Sequence, residues 1–250
     1  SALNILCEME TLYERWGVRE FCFQDDQFMG SKQRILDLCR MIVDKKLNLS
    51  LIAPPGITPS LVSDEVLRWM KRAGFYRICY SIDVGTERGR KYVKKPVALN
   101  KVRALIRKTN RMGFWTYATF VIGFPDETED EVLEAIGFAH RLKVDFTRFY
   151  IAQPHLGSKL YEIYERDGMP VNRCIIESHH DIFDAVFSTK HISAIRLKQL
   201  REMGEDGYLK KHAWHFLNPF YFLDFLPKVL SVSKFKYAFR LFFWLIHPKP

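Results

Sequence analysis

Apolar positions in the first two thirds of the chain alternate between helical spacing and short, nearly continuous runs. Leu3, Leu6, Cys7 and Tyr13 fall on one helical face, with Gly17 where a C-cap belongs. Val18 to Phe23 is rich in β-formers and stops at Asp25 and Asp26. Ser31 caps a second helix whose stripe is Ile35, Leu38, Cys39 and Ile42. Leu47 to Ala53 reads as a strand closed by Pro54, Pro55 and Gly56. Ser63, Asp64 and Glu65 open a helix that carries Leu67 and Met70 and ends at Gly74. Phe75 to Asp83 is the third strand, followed by a helix over about Asn100 to Met112. Phe114 to Ile122 is the fourth, ending in Gly123-Phe124-Pro125. Thr128-x-x-Glu131 has the capping-box pattern and opens a helix to about Leu142. Val144 to Ala152 is the fifth strand, and a helix through Leu160 and Tyr164 follows Gly157.

One helix followed by five strand–helix units predicts an α/β fold with a parallel sheet, because parallel neighbours need a crossover helix. Runs such as Phe120-Val121-Ile122 suit strands covered on both faces. The alternation opens with a helix that no strand feeds, so a first strand is expected upstream of Ser1 or the barrel is built unusually. Beyond about Pro170 the pattern loosens. Ile192 to Met203 is an amphipathic helix with Ile195 and Leu200 inward and Arg196, Lys198 and Arg201 outward.

Ligands of parallel α/β folds bind outside the C-terminal strand ends. Those ends carry Gln24-Asp25-Asp26, Ala53-Pro54-Pro55, Ser81-Ile82-Asp83, Gly123-Phe124-Pro125 and Gln153-Pro154-His155. The acids Asp25 and Asp26 can hold a ligand ammonium or ribose hydroxyls, or can serve as turn and cap residues. Asp83 closes an apolar strand, and a near-buried carboxylate must find a donor. His155 lies at the same rim, whereas His179-His180-Asp181 makes a poor metal site because adjacent side chains point apart.

Charge and cysteine content narrow the picture. The 250 residues are 48% hydrophobic and 27% charged, the balance of a globular protein with a core, and the net charge is +9. A cationic stretch from Arg88 to Arg111 contains no acid and is answered by Asp126, Glu127, Glu129, Asp130, Glu131 and Glu134. Residues 209–250 carry seven cations, Lys228 among them, against the single acid Asp224. The same segment interleaves ten aromatic side chains from Phe220 to Trp244. Three roles compete for it: helices closing the barrel, peripheral membrane contact, or stacking on single-stranded nucleic acid. Lys234 to Ile246 is apolar around most of its circumference, which suits burial or membrane contact better than nucleic acid. Cys7, Cys22, Cys39, Cys79 and Cys174 lie at least fifteen positions apart, which argues against a disulfide framework and for buried reduced thiols. With an acidic start and no apolar run near the roughly 20 residues of a spanning helix, the chain reads as cytoplasmic, or membrane-associated through its tail.

Five segments in order resemble the radical S-adenosylmethionine superfamily, in the branch that often carries a cobalamin-binding domain. Phe23-Gln-Asp25-Asp26-Gln-Phe28 is similar to its strand-end motif, and Leu67-x-x-Met70-Lys71-x-Ala73-Gly74 precedes the third strand as it does there. Tyr80-Ser-Ile-Asp83-Val-Gly85 resembles Gly-Ile-Glu-Ser-Gly with Asp for Glu. Val121-Ile-Gly123-Phe-Pro125-Asp-Glu127-Thr128 is close to Ile-Gly-x-Pro-Gly-Glu-Thr, and Gln153-Pro-His-Leu-Gly157-Ser158-Lys-Leu160-Tyr161 to Pro-x-Pro-Gly-Thr-x-Leu-Tyr. The resemblance implies a partial (β/α)6 TIM-like barrel over residues 1–168, here lacking its first strand, with residues 169–250 as a helical C-terminal extension. It implies S-adenosylmethionine across the strand ends, a 4Fe–4S cluster that reduces it, and cobalamin in some full-length relatives. Gln24, Asp25 and Asp26 would then lie by the methionine amino end and Asp83 near the ribose or carboxylate. Ile122, Gly123, Pro125, Gln153 and Pro154 would line the adenosine side. The family's Cys-x3-Cys-x2-Cys loop has no counterpart in this chain, and its expected place is upstream of Ser1. The reading is thus a fragment of a methyltransferase or oxidoreductase acting on a small-molecule or lipid-like substrate. The alternatives are a redox-inactive S-adenosylmethionine or nucleoside binder and a membrane- or partner-docking module.

Overall fold

The computed structural model describes residues 1–25, 28–95, 98–171, 187–216 and 228. Five strands, β1 (Glu20–Cys22), β2 (Ser50–Ile57), β3 (Phe75–Asp83), β4 (Trp115–Ile122) and β5 (Phe146–Ile151), form one parallel sheet in the order β1-β2-β3-β4-β5. Consecutive order means that every crossover steps in the same direction. Right-handed crossovers then put the connecting helices on one face, which is barrel winding and not the reversing order of a doubly wound sheet. Around the strands run α1 (Ala2–Trp16), α2 (Lys32–Asp44), α3 (Asp64–Ala73), α4 (Glu87–Tyr92), α5 (Leu99–Arg111), α6 (Glu129–Arg141), α7 (Lys159–Arg166) and α8 (Ala194–Phe216).

Two compact units divide this chain, and each has its own packing. The first contains Ser1–Ser81 and Ala104–Tyr117, with Lys228. Here Ser1, Ser31 and Ser63 each accept a backbone N–H as the N-caps of α1, α2 and α3. The α2 stripe Ile35, Leu38, Cys39 and Ile42 is buried as its spacing predicts. Phe23 stacks on Phe28 at 4.2 Å and on Phe75 at 5.9 Å, tying the end of β1 to the start of β3.

β2 departs from the sequence reading. It does not close at Ala53 but continues through Pro54-Pro55-Gly56 to Ile57. Its register against β3 jumps from Ala53↔Ile78 to Ile57↔Tyr80, so four residues of β2 advance against two of β3. Proline has no N–H for the ladder, and the strand accommodates the pair as a bulge. Gly56 sits in the bulge at φ 104, and a Cβ there would stand 2.1 Å from Ser81 Oγ.

The second unit contains Ile82–Arg103 and Ala118–Ala213. Phe120 stacks on Phe149 at 5.4 Å and meets Phe138 edge-on at 6.2 Å, joining β4, β5 and α6. Phe120 and Phe149 are fully buried, and each contributes about 1.5–3 kcal/mol by burial. Helix α4 was not foreseen; Thr86 caps it by accepting the Gly89 N–H at 3.0 Å. The α8 reading is also corrected. Leu200 is buried as expected, but Ile195 is 75% exposed and Leu197 takes its place, so the inward face runs through Leu197 and Leu200. Arg201, expected outward, pairs with Glu205 and is mostly covered.

Candidate functional site

In the first unit, Gln24 and Asp25 follow β1 and are both exposed. The Gln24 side chain donates to Cys22 Sγ at 2.9 Å, and the Asp25 carbonyl accepts the Phe28 N–H at 3.3 Å. Asp26 lies outside the described residues. At this strand end one acid therefore offers its carboxylate to solvent, with its backbone committed to a turn.

The second unit holds the other rim residues. Asp83 is the last residue of β3 and has φ 64, the left-handed region that a non-glycine residue rarely takes. Its carboxylate is ion-paired with Lys95, which supplies the donor that burial at a strand end demands. Both side chains stay about one quarter exposed (26% and 28%), so the pair faces water and can exchange partners. The Lys95 carbonyl is held in turn by Arg90 at 3.0 Å, and Arg90 also pairs with Glu87.

Ile122 ends β4, fully buried, and its carbonyl accepts the Ala152 N–H at 2.9 Å, which ties the ends of β4 and β5 together. Gly123 then turns at φ 84. The Gly123 and Phe124 amides both donate to Glu127 Oε2, at 2.6 and 3.2 Å, and the Glu127 N–H returns to the Phe124 carbonyl at 3.0 Å. Pro125 is buried, and its carbonyl accepts the Lys190 N–H at 3.3 Å. Pro154 is also buried, Gln153 is half-buried with its carbonyl bonded to the His155 N–H at 3.0 Å, and His155 itself is exposed.

Glu127 belongs to the quoted motif but was given no role there. Burial pushes its carboxyl up to about 7, against the lowering effect of the two amides and of Arg88, and nearby Glu131 raises it further. It lines an open surface pocket with Thr86, Arg88, Tyr92, Phe124, Asp126 and Glu131. Across this pocket Arg88 pairs with Glu131 and donates to the Asp126 carbonyl at 3.2 Å, while Lys190 pairs with the Asp126 carboxylate at 2.6 Å. The cationic stretch and the acidic cluster thus do answer one another here. The available signal was the spacing: an acid four residues after a strand-end glycine can fold back on that glycine's amide.

The cysteines are only partly as expected. Cys39 and Cys79 are buried, and burial pushes Cys39 up to about 12, but Cys7 and Cys22 are exposed. Among the described residues no three His, Cys, Asp or Glu side chains converge on a metal position. The described residues therefore do not fit a 4Fe–4S cluster, and Cys174 and His179-His180-Asp181 lie outside them. Lys228, counted among the tail cations, is buried: its Nζ donates to Asn110 Oδ1 at 2.8 Å and lies 5.8 Å from the Trp115 ring centre. Among the described residues no helix is long and apolar enough to cross a membrane.

A singly wound parallel sheet, with a left-handed aspartate and a stapled glycine turn at two of its strand ends, is an α/β fold of barrel type. The sequence profile of the Radical SAM superfamily matches residues 1–139, more than half of the chain. The chain belongs to that superfamily, which implies S-adenosylmethionine and a 4Fe–4S cluster. It is 26% identical over 200 residues to an uncharacterized methyltransferase of Pyrococcus horikoshii, a match covering 80% of this chain and 43% of that protein. Over 175 residues it is 26% identical to the cytidylyl-2-hydroxyethylphosphonate methyltransferase of Streptomyces wedmorensis, covering 67% of this chain and 32% of that one. The chain thus spans less than half the length of these curated relatives. The fold is shared with the radical S-adenosylmethionine methyltransferase TsrM from Kitasatospora setae, solved with cobalamin and a [4Fe-4S] cluster bound. That match has a TM-score of 0.54 and 19% identity, over 60% of this chain and 29% of TsrM. Coproporphyrinogen III oxidase from Escherichia coli matches with a TM-score of 0.53 and 14% identity, over 84% of this chain and 46% of the oxidase.

Proposed function

We propose that this chain binds S-adenosylmethionine at its strand ends as part of a radical-type methyltransferase. The observation that carries the reading is Asp83: a non-glycine residue held at φ 64 at the end of β3, its carboxylate paired yet accessible. Strain of this kind costs about 1–3 kcal/mol and collects where function requires it. The Asp83 carboxylate suits ribose hydroxyls, and Lys95 beside it suits the ligand carboxylate. Gln24, Asp25 and Asp26 serve the ligand's amino end, and Ile122, Gly123, Pro125, Gln153 and Pro154 its adenosine. Methyl transfer is favoured over oxidation because two curated relatives are methyltransferases. The cluster cysteines of this reading lie in a segment outside these 250 residues, and no step is derived through the cluster or through cobalamin.

The test is titration of this chain with S-adenosylmethionine by calorimetry, with Asp83→Asn beside it. Saturable binding weakened in the variant supports the reading; no binding by the folded chain overturns it. The product of the full coding sequence, reconstituted anaerobically with iron and sulfide, then decides the chemistry by formation of 5′-deoxyadenosine or of a methylated product. If the chain binds but the reconstituted product does neither, the second reading holds: a redox-inactive nucleoside binder, which the scattered cysteines favour. A peripheral membrane role for residues 209–250 is tested by liposome co-sedimentation. Sedimentation that persists after their deletion rules that role out.

A further inference from the structure

Among the described residues, Glu127 is the side chain that accepts the amides of the turn after β4. Gly123 and Phe124 point their amides inward, and one carboxylate oxygen accepts both. The Glu127 backbone closes the same turn through the Phe124 carbonyl. Gly123 is buried, and a Cβ there would stand 3.1 Å from both Leu197 methyls, so α8 walls the turn on one side. The groups facing Glu127 from the elements packed on it are Arg88 and Tyr92 of α4, Glu131 of α6 and Asp126 of the turn itself, the last neutralised by Lys190. Arg88 is engaged by Glu131. No cation is thereby dedicated to Glu127 among the described residues.

We infer that Glu127 is the positioning residue of the β4 strand end: its charge holds the Gly123 and Phe124 amides in place, and adding a proton loosens that turn and weakens S-adenosylmethionine binding beside it. The ligand half of this inference rests on the proposed binding function; the amide half does not. A carboxylate is a stronger acceptor for two N–H groups than the corresponding acid, whose own proton must also be accommodated. Glu127 ionises near neutrality, so the turn changes state within the working pH range. The Ile122 carbonyl, one residue away, is bonded to Ala152, so loosening reaches the end of β5.

The experiment follows the Gly123 and Phe124 amide resonances of the full chain from pH 5.5 to 8.5, in wild type and in Glu127→Gln. Affinity for S-adenosylmethionine is measured over the same range. Gln keeps an acceptor oxygen but cannot ionise. In the wild type both amides should shift with a midpoint near 7, and affinity should be roughly fivefold weaker at pH 6 than at pH 8. In Glu127→Gln the amide shifts should be flat and the affinity should lose that fivefold dependence. A contribution from the ligand's own ionisation persists in the variant and is subtracted by it. Amides that do not titrate in the wild type, or that titrate equally in Glu127→Gln, overturn the inference. Amides that titrate while affinity stays constant overturn its ligand half. A wild type that binds no S-adenosylmethionine at any pH sinks the proposed function instead, and the amide titration still decides the role of Glu127.

Discussion

Replacing Glu127 by glutamine should stabilise the protein at alkaline pH and hardly at all at acid pH. The folded state raises the Glu127 carboxyl from an ordinary 4.5 to about 7. The native protein therefore holds the proton more tightly than the unfolded chain does between those values. By linkage, stability is greatest below 4.5, falls as pH rises through the window and levels off above about 7. At about 1.36 kcal/mol per pH unit of difference, the full effect is about 3 kcal/mol. Wild type retains most of that at pH 5 and almost none at pH 8. Gln keeps the amide-accepting oxygen and carries no charge at either pH. The advantage of Glu127→Gln should therefore grow from about 1 kcal/mol at pH 5 to about 3 kcal/mol at pH 8. Urea unfolding of both proteins at several pH values measures it, with equal slopes confirming that only stability changed. An advantage that is constant with pH, or a variant less stable at pH 8, would refute the reasoning. The same substitution that stabilises should cost the ligand-binding response, the trade-off expected where a buried charge is kept for function.

The other predictions use different parts of the fold. Gly74→Ala should destabilise by roughly 2 kcal/mol or more, since its φ is 102 and the added Cβ would stand 2.1 Å from the Leu49 carbonyl oxygen; a urea midpoint unchanged from wild type would count against the geometry. Thr128→Ala removes the α6 N-cap and half of its capping box, and should cost about 1 kcal/mol, read in the same assay. Asp83→Asn, which tolerates the left-handed backbone, should leave unfolding nearly unchanged and weaken S-adenosylmethionine binding about tenfold, the effect of losing one charged contact.

The fold was legible because each element announces itself locally. Serine caps, the Thr128–Glu131 box and the apolar periods name the helices, and strict alternation forces a parallel sheet. What local pattern did not show is what depends on contacts across the chain. β2 runs on through two prolines because its neighbour β3 lets four residues pass against two. The inward face of α8 is set by the cleared space over Phe149, where Gly204 fits with its Cβ position 2.8 Å from the ring, and not by where Ile195 falls in an apolar count. Cys7 and Cys22 are exposed because α1 and β1 present those positions outward, although cysteine usually counts as a core residue.

At the site the division is sharper. Motif order placed Asp83 and Gly123 at strand ends, which a parallel topology guarantees once the strands are known. Their electrostatic condition is set by residues that sequence reading treated as surface charge. Lys95, twelve positions on, neutralises Asp83, and Glu127 collects the amides that Gly123 and Phe124 expose. Both arrangements require a left-handed residue at the strand end, φ 64 at Asp83 and φ 84 at Gly123, so that the chain leaves the sheet sharply and its polar groups stay near the rim. A strand that ran straight into its helix would bury those groups in the helix N-terminus and present none to a ligand. The proposed nucleoside contacts lie at these sharp exits, and the proton on Glu127 acts on the Gly123 and Phe124 amides that hold one of them.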